Sequence, residues 1–473
     1  LPGELSKFYI EKKSLPNQNQ LFRMSKVVKI RKGLNIRLEG EAEKIFSRAD
    51  MAEAYAVKPT DFPGLTPKLT VQVGDTVKAG TVLFFDKYRP EVQFSSPVSG
   101  EVVAVNRGER RKILEVVVKP SATQEYEKFA VSEPSGMDRA SVIDVLLKSG
   151  VWPYIRQRPY GIVANPADKP KAIFISGFDT APLAPDLDFA IKGDEAAFQV
   201  GINALKRLTD GKVHLNLNAD YPASVASTKG VEITQFSGPH PAGNVGIQIH
   251  HINPVNKGEV VWTVSLLDVV IIGRLFSQGV YDAAKNIALA GSEVLKPKYY
   301  KLIAGASLKS ITSGNLKSND ASVRLISGNV LTGTRVLPEG FLGFYDNMVT
   351  AIPEGNYHQF LGWATPNLSK FSASRSLFSW LMPGKKYRLD TNYNGAERAY
   401  VMTEQYEKVL PMDIYPVHLI KAILAQDIDK MEQLGIYEVV EEDFALCEFV
   451  CTSKIEVQSI IRDGLDMMVR EMN

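Results

Sequence analysis

Apolar and polar positions alternate from residue 71 to 84, Val71-Gln72-Val73-Gly74-Asp75-Thr76-Val77-Lys78-Ala79-Gly80-Thr81-Val82-Leu83-Phe84, broken by Gly-Asp and Ala-Gly turns. Period-two alternation around such turns predicts half-buried strands joined by hairpins. The pattern returns over residues 96–105, and 113–118 adds a further strand. From residue 138 the period changes. Residues 138–147 have helical spacing, 171–177 form a short apolar run ending in Gly177, and 194–208 read as an amphipathic helix with Asp194 at its N-cap. Residues 212–218 and 231–236 read as strands, and 260–276 as a strand followed by a helix. This strand–helix alternation predicts a parallel sheet covered by helices. Short strands recur at 287–291, 300–304 and 323–326, with a helix starting near Ser307. Residues 340–405 are rich in aromatics, Gly and Ser/Thr and read as loops and strands. Residues 413–434 and 454–472 are helical by pattern.

The chain therefore reads as multidomain, of mixed α+β and α/β class. The expected units are a polar, basic, mobile extension (1–23), a β-rich domain (24–130), a Rossmann-like α/β domain (131–285), a β-grasp domain (286–340), a β- and loop-rich extension (341–405) and a helical C-terminal domain (406–473). The β-rich unit resembles biotinyl/lipoyl-like barrel-sandwich domains in its Val71–Gly80 and Ser96–Val102 elements. Domains of that kind carry their prosthetic arm on a hairpin-tip Lys. Arg89 stands at that position, between Tyr88 and Pro90, and Lys87 is two residues off register. A guanidinium is no amine nucleophile, so a retained structural module is the expectation and a lipoyl or biotin carrier the alternative.

Composition narrows the function. A formal net charge of +2 gives no electrostatic footprint for nucleic acid. The most apolar stretch, residues 260–272, is too short to span a membrane and contains Asp268. The first thirty residues lack the apolar core of a signal peptide, and two cysteines make no disulfide framework, which points to the cytoplasm. No phosphate-binding loop with its Lys occurs: Gly328 and Gly333 have the spacing, but Thr334 stands where Lys is required. His250 and His251 are adjacent and diverge on a helix, so no metal site is expected.

The two cysteines carry the most specific signal. Over Glu441-Glu442-Asp443-Phe444-Ala445-Leu446-Cys447-Glu448-Phe449-Val450-Cys451-Thr452, a ferredoxin-type C-x2-C-x2-C-x3-C run can be laid with Cys447 and Cys451 in its last two positions. Glu441 and Phe444 occupy the first two, and Thr452 replaces the usual Pro. Two thiolates do not close a four-iron cluster, so the pair reads as what remains of one, buried and inert, with metal sharing across a second chain as the alternative.

The domain order resembles that of the C subunit of the Rnf ferredoxin oxidoreductase and, in its later part, of the flavin-bearing NADH subunit of complex I. Several stretches resemble more closely the alpha-subunit family of the sodium-translocating NADH:quinone oxidoreductases: Lys32-Gly33-Leu34, Gly238-Pro239-His240-Pro241-Ala242-Gly243, Ile326-Ser327-Gly328-Asn329-Val330-Leu331-Thr332-Gly333, Gly362-Trp363-Ala364 and the 446–451 run. The flavin-binding relatives hold FMN on a G-x-G-G-A-G-F-P turn. The corresponding stretch here is Ser149-Gly150-Val151-Trp152-Pro153-Tyr154-Ile155-Arg156-Gln157-Arg158-Pro159-Tyr160, with one Gly left, and Asp179 alone remains of the acidic element after the following strand. The resemblance implies a peripheral subunit with no flavin or iron–sulfur centre of its own, docked on the cytoplasmic face of the bacterial inner membrane through an integral membrane subunit. Its partners would hold FAD, FMN, riboflavin and iron–sulfur, and the complex would reduce ubiquinone or menaquinone with NADH while pumping sodium. The 340–405 stretch and the basic segment 26–37 are candidate contact surfaces with those partners. Trp152, Tyr154, Arg156, Arg158, Tyr160 and His240 are candidate quinone contacts; the competing reading is a simple plug of the vacated cavity for the 152–160 cluster and a loop-fixing hydrogen bond for His240. An Rnf-like electron-transfer subunit with its own FMN or cluster is the other functional alternative.

Overall fold

The computed structural model describes residues 26–318, 322–357, 359–361, 367–374 and 377–472. The expected extension 1–23 and the Gly362-Trp363-Ala364 stretch lie outside them. Residues 55–120 form the β-rich unit. An antiparallel four-stranded sheet (Tyr55–Val57, Ile113–Pro120, Gly100–Arg107, Thr76–Val77) faces a three-stranded one (Pro67–Leu69, Val82–Asp86, Gln93–Ser95). Their inner residues, among them Leu83, Phe84, Val92, Phe94, Val102 and Val116, are fully buried, and Phe84 stacks on Phe94 at 4.8 Å. The tip residue Arg89 is docked: its Nε donates to Asp86 (3.1 Å) and its Nη1 to the Val163 carbonyl of the next unit (3.1 Å).

The second unit is a seven-stranded sheet. Five parallel strands run in the order Lys26–Lys29, Glu232–Ser237, Lys212–Asn218, Ala172–Ser176, Val261–Thr263, and the antiparallel pair Arg156–Arg158 and Ile162–Val163 closes one edge. Helices Glu195–Lys206 and Leu266–Gln278 pack together with almost no space between their backbones. A Cβ on Gly201 would lie 2.2 Å from the Val269 carbonyl oxygen, and one on Gly273 would lie 1.7 Å from that of Ala197. Asp194 sits at the start of the first helix, but its side chain makes no cap; it pairs instead with Arg274 Nη2 at 2.8 Å, a partner eighty residues away that local sequence does not reveal.

A six-stranded mixed sheet follows, in the order Thr334–Val336, Val323–Ser327, Met348–Pro353, Ala284–Ala290, Lys298–Ile303, Glu43–Arg48. Strands Lys26–Lys29 and Glu43–Arg48, expected in the β-rich domain, thus form edges of the other two sheets. Register, not local pattern, places them: Val27 pairs with Gln235, and Ser47 with Tyr300. The expected helix near Ser307 is one turn, Lys309–Thr312. The C-terminal unit is helical, with Pro416–Leu424, Ile428–Gln433, Ala445–Val450 and Val457–Met472. No helix among the described residues is long and apolar enough to cross a membrane.

The C-terminal unit is fastened to the seven-stranded sheet by charge. Arg158, 3% exposed, donates from Nη1 to Asp443 Oδ2 (2.6 Å) and to the Glu438 carbonyl (3.1 Å), and from Nη2 to Glu442 Oε1 (2.9 Å). Asp443 also accepts the Val440 N–H at 3.0 Å. Arg462 returns the contact, donating to the Tyr160 carbonyl at 2.8 Å. His250 on helix Val245–Ile252 bonds Glu438 at 2.8 Å and accepts the Asp413 N–H at 3.1 Å.

Removing one partner of a buried pair strands the other charge, at a cost of about 3–5 kcal/mol. Arg158→Ala and Asp443→Ala are each expected to loosen the C-terminal unit by that order. Limited proteolysis should cut the 425–445 region well before the parent chain is cut there. Lys148→Ala, which breaks the exposed pair with Asp144, should leave the cleavage pattern unchanged. Equal resistance of all three variants would show that the pair does not hold the units together.

Candidate functional site

A cleft of about 360 Å3 opens at the carboxyl ends of the parallel strands. Its floor comes from Ser176, Phe178 and Asp179 after strand Ala172–Ser176 and from Thr263–Leu266 after strand Val261–Thr263. Strand Lys212–Asn218 lies on one side of Ala172–Ser176 and Val261–Thr263 on the other. This is a switch point of the sheet, the usual ligand crevice of open α/β folds. The other units close it. The six-stranded sheet supplies Gly328, Asn329, Tyr345, Asp346 and Asn347, and the helical unit supplies Glu441, Glu442 and Gln458.

Two of the distinctive sequence stretches, 238–243 and 326–333, line this cleft, and a third, 32–34, backs the first. The Gly238–Gly243 loop supplies His240 and Gly243, and its path is fixed by backbone contact with residues 30–34. A Cβ on Gly33 (φ +142°) would lie 2.1 Å from the His240 carbonyl oxygen, and one on Gly238 (φ +131°) 2.2 Å from that of Ile30. Only residues without a Cβ tolerate both the angle and the approach. The Leu34 N–H then donates to the His240 carbonyl (2.9 Å), and the His240 N–H to Asn35 Oδ1 (2.9 Å). The 326–333 loop is held by Asn329, whose Oδ1 accepts the N–H groups of Leu331 and Thr332, and by Gln458, whose Nε2 donates to the Leu331 carbonyl at 3.0 Å.

The electrostatics of the lining are mixed. Arg156 lies 4.8 Å over the Tyr345 ring, a cation–π arrangement that fixes its guanidinium in the wall. Burial pushes the carboxyl groups of Asp179 and Glu441 above their ordinary range; Arg462 pulls Glu441 back in part. His240 is 4% exposed, and burial pushes its imidazole down to about 4. Thr180 Oγ1 accepts the Gly243 N–H (2.9 Å) and shares a hydrogen bond with His240 Nδ1 (3.1 Å). The ring in the wall is neutral at pH 7.

Of the six candidate contacts, the cleft brings together Arg156 and His240. Trp152 and Tyr154 belong to the interior: Trp152 Nε1 donates to the Ala164 carbonyl (2.8 Å), and the Tyr154 hydroxyl bonds that of Tyr281 (2.9 Å) while its ring stacks on Phe344 (4.3 Å). Neither presents a face to a ligand, because their neighbours in three units cover it. Arg158 is engaged by Asp443, and Tyr160 packs against Tyr437. The surviving Gly150 (φ +71°) does not face a phosphate: a Cβ there would lie 2.2 Å from Ser95 Oγ of the β-rich unit. A flavin phosphate does not fit this turn. Cys447, within helix Ala445–Val450, and Cys451, at its end, are buried, and burial raises the Cys447 thiol well above its ordinary value. A four-iron cluster does not fit two thiols. Among the described residues no group of three or more His, Cys, Asp or Glu is placed to hold a metal ion. Asp179, Tyr345, Glu441, Glu442 and Gln458 are cleft residues that sequence reading did not single out together, since they come from three units.

His240 has a pH signature. An unfolded imidazole titrates near 6.5, whereas the buried ring holds its proton only below about 4. The folded state therefore keeps its full stability above pH 6.5 and loses up to about 3 kcal/mol as pH falls from 6.5 toward 4. His240→Asn retains an acceptor for Thr180 and removes the titration. Its thermal midpoint is expected to fall less than that of the parent chain between pH 7 and pH 4.5; parallel curves would refute the assignment.

Three family models match the chain: the NqrA N-terminal barrel-sandwich hybrid domain over residues 28–121, the NqrA second alpha/beta domain over 137–281, and the NQRA C-terminal domain over 286–337. The A subunit of the Na(+)-translocating NADH-quinone reductase of Yersinia pestis bv. Antiqua (strain Angola) is 38% identical over 448 residues, 94% of this chain and 100% of that protein. The corresponding protein from Alcanivorax borkumensis is 38% identical over 451 residues, with the same coverage. Among solved structures, the NAD+-reducing [NiFe]-hydrogenase in its H2-reduced state aligns with a TM-score of 0.38 at 12% identity, covering 72% of this chain and 62% of that one. The chain belongs to the NqrA family, the A subunits of the Na(+)-translocating NADH-quinone reductases.

Proposed function

We propose that this chain is the peripheral subunit of a sodium-pumping NADH:quinone oxidoreductase, held on the cytoplasmic face of the bacterial inner membrane by an integral membrane subunit. In this reading its central unit is Rossmann-like and the unit after it a β-grasp domain. The partner subunits carry FAD, FMN, riboflavin and iron–sulfur, and ubiquinone or menaquinone accepts the electrons. The chain contributes scaffold and a quinone-contacting cleft. The observation that carries the reading is the contrast between two places. The glycine turn that would cradle a flavin phosphate is packed solid by Trp152, Tyr154 and the Gly150–Ser95 contact. The cleft at the strand ends remains open, with Arg156 and His240 in its wall.

Arg156 and neutral His240 suit the two carbonyl oxygens of a quinone head. The first gives a charge-assisted bond and the second a neutral one, and both leave the head uncharged until electrons arrive. Tyr345, under the Arg156 guanidinium, and Phe178 add ring surface.

Three measurements test this. The purified chain is expected to show no flavin or cluster absorption, and, tagged, to recover integral membrane subunits from solubilised membranes. Flavin bands, or recovery of soluble partners alone, would favour the Rnf-like alternative. Arg156→Leu and His240→Leu are each expected to weaken binding of a short-chain ubiquinone to the chain about tenfold, read by ligand-observed NMR, while Trp152→Phe changes it little. Unchanged affinity in both cleft variants would remove the quinone from this cleft.

A further inference from the structure

Residues 355–389 contain five Lys or Arg (Lys370, Arg375, Lys385, Lys386, Arg388) and no Asp or Glu. Several apolar side chains in the described part of this stretch are exposed. Phe378, Trp380 and Leu381, on the short helix Phe378–Leu381, are 41%, 52% and 58% exposed, and Leu368 is 57% exposed. The stretch is shaped by its own polar bonds. Lys385 Nζ donates to the Leu368 carbonyl at 2.8 Å, which draws Leu368 beside the helix, and the Ser372 N–H donates to Ser379 Oγ at 3.1 Å. Ser379 and Leu377 face inward, which leaves Phe378, Trp380 and Leu381 partly exposed. Lys385 and Lys386 follow directly. Lys386 reaches only a surface partner, Glu41 at 2.8 Å, an ion pair that contributes little.

An exposed Trp, Phe and Leu cluster flanked by lysines, on a segment without carboxylates, matches one surface chemically. Indole and aliphatic groups enter the headgroup–acyl boundary of a bilayer, and the lysines meet lipid phosphates. An apolar protein surface would take the rings but gives no reason for the missing carboxylates. We propose that Leu368, Phe378, Trp380 and Leu381, with Lys385 and Lys386, form a lipid-contacting tip that seats this chain on an anionic phospholipid surface, in addition to any contact with a membrane subunit.

Cosedimentation of the purified full chain with vesicles tests this without any partner. The chain is expected to partition at least about tenfold more strongly onto phosphatidylglycerol vesicles than onto phosphatidylcholine vesicles, the preference fading as salt is raised. Trp380→Ser combined with Leu381→Ser should weaken partition about tenfold, and Lys385→Gln with Lys386→Gln by a similar factor, at roughly fivefold per lysine less the share lost to Glu41. The thermal midpoint should be unchanged in the first variant, whose side chains are more than half exposed, and in Lys386→Gln alone, which keeps the Lys385–Leu368 bond and should still weaken partition. Equal partition onto the two lipids, or variants that partition like the parent chain, overturns the proposal and leaves the tip to an acidic protein partner.

Discussion

The buried contact of Arg158 with Asp443 decides whether there is a site at all. Glu441 and Glu442, which form one wall of the cleft, precede Asp443 directly, and no regular secondary structure ties them to the sheet opposite. Taking a guanidinium and a carboxylate out of water is costly, and the pair offsets that cost only because every group in it is satisfied. Arg158 makes bonds to Asp443, Glu442 and the Glu438 carbonyl, and Asp443 accepts the Val440 N–H as well. Burial alone would drive the Asp443 carboxyl to its neutral form; Arg158 opposes it. The geometry is specific in a way that apolar packing is not. It aligns the 438–443 turn against the Arg158 strand to within a hydrogen bond, and so sets the width of the cleft.

Close backbone approach recurs in the glycines. Gly33 and Gly238 let the 30–34 segment and the Gly-Pro loop meet backbone to backbone, and Gly150 lets the helix end at Ser149 meet Ser95. In a flavin-binding turn, bare backbone approaches a phosphate. Here the bare backbone at Gly150 approaches another domain, and the space beyond it holds Trp152 against Trp262 and Tyr154 against Phe344. The turn at Gly150 is a packing joint. The cleft depends on different residues, those after the strands rather than those before them.

Much of this was legible from residues alone. Period-two alternation marked the β-rich unit, and a short apolar run marked strand Ala172–Ser176. The replacement of small residues by Trp152 and Tyr154 announced a filled cavity. What stayed hidden was long-range. Lys26–Lys29 and Glu43–Arg48 are ordinary short strands whose sheet is chosen by register with partners about 200 and 250 residues away. The Trp152–Tyr160 stretch looked like one surface because its aromatic and cationic residues are close in sequence. In the structure a one-turn helix, Trp152–Tyr154, and a short strand, Arg156–Arg158, set these side chains against different units. Arg156 reaches the cleft, whereas Arg158, two residues on, reaches the helical unit. Burial separates these fates, and burial is not a local property.

The acid–base balance of the cleft follows from its three-unit construction. A carboxylate wall from the helical unit faces a floor that holds Asp179, and the one cation among the described lining residues, Arg156, is pinned on Tyr345 from the six-stranded sheet. Asp179 and Glu441 are therefore held above their ordinary range by burial, with too little positive charge nearby to bring them down. A ligand that brought phosphate here would add negative charge to a site that already struggles to ionise its own acids. A neutral, flat acceptor costs nothing electrostatically, and any negative charge it later gained would draw protons onto those same carboxyls. The packed turn at Gly150 and the surplus of carboxyl groups in the cleft both disfavour a phosphate, and they do so through different residues.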